Sequence, residues 1–314
     1  MQEGSRKAII AAFFANLGIA IAKFLGFAVT GAASMLAEAV HSVADSTNQG
    51  LLLLGGRQAR RPATAEHPFG YGRERYFWSF VVALVIFTLG SLFALFEGVE
   101  KLRHPHELES AAWAVGILLF GIVLEFFSLR TAVRESAHAK GDQSWWAFIR
   151  HSKNPELPVV LLEDIGAMLG LVLALAGVAL AELTHNARFD AVGSVGIGVL
   201  LGVIAVTLVI EMKSLLIGEA ASPNVVQQIR TTIEGSDSVR RVIHMRTQHL
   251  GPDELLVAAK LELAGDLDFH SVASTINEIE TSVRDAVPSA RVIYLEPDYT
   301  RPEPARSEPT LGGT

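Results

Sequence analysis

Three ionisable residues, Glu38, His41 and Asp45, stand in one apolar stretch, "AEAVHSVADSTNQGLLLLGG" at 37–56. At about 100° per residue on a helix, Glu38 and Asp45 fall within roughly 20° of one another and His41 about 60° to one side. The three share a face, and Asn48 and Gln49 continue it as a polar stripe. A second group is the adjacent pair Glu163 and Asp164 in "LPVVLLEDIGAMLG", and a single acid, Glu125, sits in "GIVLEFFSLR". Ionisable groups are costly in hydrocarbon, so each needs a reason. Glu125 has Lys23 and Arg130 as candidate partners, and Asn16, Lys23 and Asn48 suit ordinary helix packing. His41, Asp45 and Asp164 together are different. Acids beside an imidazole, without a matching number of cations, make a net negative site that is tolerable when protonated or when it holds a cation. Imidazole plus carboxylate is a ligand set that zinc accepts, as do manganese and iron. The 314 residues include no cysteine, which excludes thiolate metal sites, disulfides and thiol catalysis.

The elements that must position these residues are membrane spans. Half of the chain is apolar, 19% is charged, and the mean hydropathy is +0.36. A formal charge of −7 gives no basic surface for nucleic acid. Six apolar runs reach the roughly 20 residues that cross about 30 Å of hydrocarbon. They lie at about 8–31, 34–56, 76–101, 111–134, 158–182 and 190–217. The first has no small-residue cleavage site and reads as a retained span rather than a signal peptide. Lys and Arg gather before the first run (Arg6, Lys7), after the second (Arg57, Arg60, Arg61, Arg73, Arg75) and after the fourth (Arg130, Arg134, Lys140, Arg150, Lys153). The alternate loops hold Lys101, Arg103 and Arg188, so both termini are expected in the cytoplasm.

From Gly218 the pattern changes. Ser222-Pro223 can start a short helix, and Gly235 can end it. "VRRVIHMRTQHLG" and "DELLVAAKLELAG" read as strands divided by Gly-Pro. Val272, Ile276, Ile279 and Val283 have helical spacing, with a stop at Pro288, and "ARVIYLEP" is a third strand. The fold class is therefore an α-helical membrane protein with six transmembrane helices and a small C-terminal α+β domain of order α-β-β-α-β. The expected domains are 1–217, 218–296 and a Pro-rich, disordered tail over 297–314.

With these residues in view, the chain resembles the cation diffusion facilitator family, over about residues 8–296. The resemblance rests on His41-x-x-x-Asp45, on the loop His67-Pro68-Phe69-Gly70 with Gly72, on Asp190, Ser194 and Gly198, and on "LLIGEAA". "GAASMLAEAVHSVADSTNQGLLLLG" and "NPELPVVLLEDIGAMLG" are similar to the branch of zinc transporter nine. The resemblance implies six spans, a cytoplasmic α-β-β-α-β domain, a homodimer joined through that domain, and a metal site made by spans two and five. The family's second His in span five is Val160 here, four before Asp164, so the set is one imidazole short, with Glu38, Glu125, Glu163 or water as candidates to complete it. In the cytoplasmic domain, His270 and Glu296 stand at positions where relatives hold zinc, but Lys260 and Tyr294 replace other ligands. The loop keeps His67 with Tyr71 in place of a second His, which makes a structural role for His67 the better expectation. His244 and His249 read as surface or interface histidines.

The expected function is a secondary transporter exporting divalent cations, Zn²⁺ first, from the cytoplasm in exchange for protons. Metal needs neutral imidazole and ionised carboxylates, so its binding displaces protons. His41 is the expected proton carrier, since imidazole titrates near neutral pH. Two alternatives stay open: the same fold carrying Mn²⁺, Fe²⁺ or Co²⁺, or a membrane protein that senses metal without moving it. No nucleophile–base pair, phosphate loop or H-E-x-x-H motif points to an enzyme. The expected location is a bacterial inner membrane.

Overall fold

The structure, a computed structural model, describes residues 33–104 and 111–299, with separate positions between 10 and 28. It divides into two compact units: Met1–Gly218 with the turn Gly251–Asp253, and Glu219–Leu250 with Glu254–Thr314. Residues 300–314, which hold most of the expected disordered tail, lie outside the described residues.

The first unit is helical. The described positions of the first apolar run are all in helix. The helices that follow are α1 (Ala33–Gln58), α2 (Glu74–Val81), α3 (Thr88–Arg103), α4 (Ala111–Lys140), α5 (Trp145–His151), α6 (Glu156–Thr184) and α7 (Arg188–Ile217). A π-helical segment, Val82–Phe87, joins α2 to α3, so the three form one 30-residue rod, Glu74–Arg103. Four helices among the described residues are long and apolar enough to cross a membrane: Glu74–Arg103, Val115–Lys140, Glu156–Thr184 and Arg188–Ile217. At 1.5 Å per residue their lengths are about 39–45 Å, beyond the roughly 30 Å of a bilayer core. Phe93, Phe96, Phe120, Phe126, Val203 and Val206 are exposed along them, as suits side chains that face lipid.

Small residues set how these helices approach. A Cβ on Gly98 would stand 2.8 Å from the Val195 backbone nitrogen, and one on Gly198 2.8 Å from that of Leu95. Ser91 Oγ donates to the Gly198 carbonyl at 2.7 Å. Helices α3 and α7 therefore touch backbone to backbone, the packing that small residues permit in lipid. Asp190 at the start of α7 accepts from Lys101 Nζ at 3.1 Å. Asp190 and Gly198 are thus contact points between these two helices, while Ser194 Oγ donates to the Asp190 carbonyl within α7.

Helix α6 is buried over most of its first turns, from Glu156 to Leu161 and again at Glu163, Asp164 and Gly166. Leu157, Val159, Val160 and Leu161 join Leu52, Val82, Ala83, Ile204 and Leu208 in one apolar core. At its start, Glu156 is gripped by Arg75, with Nε to Oε1 at 2.5 Å and Nη2 to Oε2 at 2.7 Å. Arg75 also donates to Asn154 Oδ1 at 3.1 Å and Asp253 Oδ2 at 2.9 Å. By charge pattern Arg75 is a loop cation, yet it is 3% exposed. A guanidinium with this many acceptors is the residue type that tolerates such burial.

The second unit runs α8 (Pro223–Glu234), β1 (Val239–Gly251), β2 (Glu254–Leu263), α9 (Phe269–Ala286) and β3 (Val292–Pro297). This is the α-β-β-α-β order read from the sequence. The sheet order is β1-β2-β3, with β2 and β3 parallel and Lys260 opposite Glu296. A parallel pair needs a crossover, and α9 supplies it. Asp268 caps α9 by accepting from Ser271 N at 2.8 Å. Ile229, Ile233, Leu255, Val257, Leu261, Ile279 and Val283 form a closed apolar core.

Two outcomes follow. Arg75→Ala leaves Glu156 buried without its cation, a loss on the order of 3–5 kcal/mol. The detergent-solubilised protein should melt roughly 6–20 °C lower, and Arg75→Ala with Glu156→Leu should recover part of that loss. A fragment starting at Glu219 should fold alone, because its core is closed, and its circular dichroism should not change on adding a chelator.

Candidate metal centre

The candidate ligands read from the sequence fall on α1, α4 and α6. Glu38, His41 and Asp45 occupy helical positions on α1, and their side chains lie outside the described residues. The face continues at Asn48 and Gln49, which are 0% and 1% exposed. Asn48 Nδ2 donates to Glu163 Oε2 at 2.5 Å, and Gln49 Nε2 to Glu163 Oε1 at 2.9 Å. The polar stripe of α1 thus reaches Glu163 of α6. Hydrogen bonds to a charged group are each worth about 1.5–3 kcal/mol, enough to offset part of the burial of a carboxylate.

Asp164, one residue on, turns about 100° around the helix. It is buried and accepts from Ser128 Oγ of α4 at 3.0 Å. Glu125 is half-buried on α4, three residues before Ser128 and therefore on the same side of that helix. The two adjacent acids of α6 divide their contacts, Glu163 with α1 and Asp164 with α4. Among the described residues no three His, Asp or Glu side chains converge as a metal-holding group. Val160, at the position of the missing imidazole, is buried in the apolar core.

Sequence reading missed Ser128, a hydroxyl in an apolar span one turn from Glu125, and treated Asn48 as packing. The available signal was spacing: Asn48 and Gln49 extend the Asp45 face, and Ser128 extends the Glu125 face.

The other histidines and acids stand apart from this region. In the loop, His67 N donates to Thr64 Oγ1 at 3.1 Å, and its ring lies 4.6 Å from that of Tyr71. Gly70 there has φ +75°, a left-handed turn that glycine suits. These contacts are internal to the loop. In the second unit, His244 is exposed and accepts from Arg246 Nε at 3.0 Å, whereas His249 is buried, not on the surface. Lys260 Nζ donates to Glu296 Oε1 and Asp298 Oδ2, both at 3.0 Å. The bonds to Asp298 and Glu296 hold the Lys260 ammonium charged above the usual lysine range. A fixed cation therefore engages the Glu296 carboxylate, while His270 and Tyr294 are exposed.

With this geometry established, comparison with known proteins is informative. The pattern of the cation efflux transmembrane domain matches residues 9–217. The chain is 33% identical over 291 residues to the proton-coupled zinc antiporter SLC30A9, mitochondrial, of Mus musculus and of Homo sapiens. Each alignment covers 89% of this chain and 51% of the relative, so the chain spans about half the length of these curated relatives. It is 30% identical over 268 residues to metal tolerance protein C4 of Arabidopsis thaliana, covering 84% of this chain and 58% of the relative. To the magnetosome protein MamB of Magnetospira sp. (strain QH-2) it is 23% identical over 290 residues, covering 92% and 90%. Buried acids on long apolar helices, the motifs that position them and a domain match over two thirds of the chain agree: this integral membrane protein belongs to the cation diffusion facilitator, or cation efflux, family.

Proposed function

We propose that the protein is a proton-coupled zinc antiporter that exports Zn²⁺ from the cytoplasm through six spans. The observation that carries this reading is the burial of Asp164 within an apolar span helix, next in the chain to Glu163, which accepts from Asn48 and Gln49 of α1. The relatives whose names specify a proton-coupled zinc antiporter support it over the whole alignment.

His41, Asp45 and Asp164 form the metal site in this reading, and Glu38 or Glu125 supplies the remaining oxygen. Imidazole favours zinc, and a single imidazole among carboxylates leaves room for harder ions such as Mn²⁺. Binding requires deprotonated ligands, so each zinc that enters releases protons, and their return on the other side resets the site. The backbone contact of α3 with α7 makes that pair a rigid frame. The helices bearing the ligands rock against it, exposing the site to each side in turn. No step makes or breaks a covalent bond, so the protein is not an enzyme in this account. Two copies pair through the second unit. The arginine-rich loops support cytoplasmic termini, and a bacterial inner membrane supplies the proton gradient.

The test is uptake into proteoliposomes holding the full chain. An imposed pH gradient should drive Zn²⁺ uptake at least tenfold above empty vesicles, with Mn²⁺, Fe²⁺ and Co²⁺ as the comparison panel. His41→Ala, Asp45→Asn and Asp164→Asn should each reduce it to background while the protein remains monodisperse. Wild-type rates in Asp164→Asn would refute this assignment. The chain has no cysteine, so a single one placed at Ser307 reports sidedness. An impermeant thiol reagent should leave it unlabelled in intact cells and label it after lysis.

A further inference from the structure

Among the polar groups buried in the first unit, Asn48, Gln49 and Glu163 form a junction that the transport reading does not use. Both carboxylate oxygens of Glu163 are taken by amide N–H groups, Oε2 by Asn48 at 2.5 Å and Oε1 by Gln49 at 2.9 Å. All three side chains are at least nine-tenths buried. We propose that Glu163 is a positioning residue rather than a metal ligand: it locks α1 against α6 and so sets the rotation of the two helices that carry His41, Asp45 and Asp164. The inference rests on the metal-site reading above and deepens it.

Helix geometry supports the assignment. Asn48 and Gln49 follow Asp45 by three and four residues, about −60° and +40° around α1 and roughly 4.5–6 Å along it. They bracket the Asp45 direction one turn away, where a fixed contact sets the rotation of the helix. Glu163 directly precedes Asp164, so the same contact sets the rotation of α6. One joint therefore orients both ligand-bearing faces. Asp164 is left on the side of Ser128 and α4.

The chemistry of the joint separates positioning from ligation. Asn48 Oδ1 and Gln49 Oε1 are buried and find no hydrogen-bond partner among the described residues. A glutamine at position 163 keeps an oxygen to accept one amide N–H. Its own N–H₂ can donate to an amide oxygen once the other amide turns over. The joint needs hydrogen-bonding capacity at position 163, whereas a metal ligand there needs the carboxylate.

The experiment compares wild type with Glu163→Gln and Glu163→Leu in the full chain. Spin labels are placed at Arg57→Cys and His151→Cys, which report the separation of α1 and α5 near the start of α6. Zinc affinity is read by competition with a fluorescent chelator, and Zn²⁺ uptake by apparent KM and maximal rate. Wild type and Glu163→Gln should share one narrow distance distribution and zinc affinities within about twofold. Glu163→Leu should broaden the distribution and lower the maximal rate at least tenfold, with Glu163→Gln restoring most of it. A narrow distribution in Glu163→Leu overturns the proposal. So does a tenfold loss of zinc affinity in Glu163→Gln with unchanged distances, which makes Glu163 a ligand. If wild type carries no zinc, the transport reading fails by itself, and the distance distributions still decide the joint.

Discussion

A carboxylate inside an apolar helix bundle must be hydrogen-bonded, paired or joined to a cation, and this constraint organises the first unit. Helix α6 buries three acids within nine residues, and each meets a different kind of partner. Glu156 meets a guanidinium, Glu163 two amides and Asp164 a hydroxyl. The order is a gradient from fixed charge to neutral donor. The bidentate ion pair pins the start of the helix, and the amides join it to α1. Asp164 accepts from the Ser128 hydroxyl of α4, and it is the acid assigned to metal and proton exchange in the proposed function.

The remaining contacts separate rigidity from exchange. Helices α3 and α7 meet through Gly98, Gly198 and Ser91 at backbone distance, with Lys101 and Asp190 closing the far end. That half-exposed ion pair is worth at most about 1 kcal/mol, so the small-residue packing dominates. The ligands of the proposed function belong to the other helices. In the proposed function this pair is the frame and the ligand-bearing helices are the part that moves, as alternating access requires.

Much of this was legible in the sequence because hydrophobic length and strand alternation are strong local signals. The four long span helices and the α-β-β-α-β order of the second unit follow from them. The π-segment Val82–Phe87 was not legible, since "VALVIF" is equally apolar in any helix. The burial of Arg75 was also hidden, because its acceptors come from 79 to 178 positions away in the chain. At the site, face sharing by Glu38, His41, Asp45, Asn48 and Gln49 could be read from helical spacing. The division of Glu163 and Asp164 between two neighbouring helices could not, because it depends on how three helices pack. Lys260 opposite Glu296 is likewise a matter of strand register, which a single sequence leaves open.

The central claim is that zinc and protons compete for the same buried groups. Calorimetry of Zn²⁺ binding to the purified full chain, repeated in buffers of different ionisation enthalpy, counts the protons released per zinc. The account predicts release of at least one proton near neutral pH, and loss of both binding and release in Asp164→Asn. Zinc binding to wild type without proton release, or unchanged release in Asp164→Asn, would contradict it.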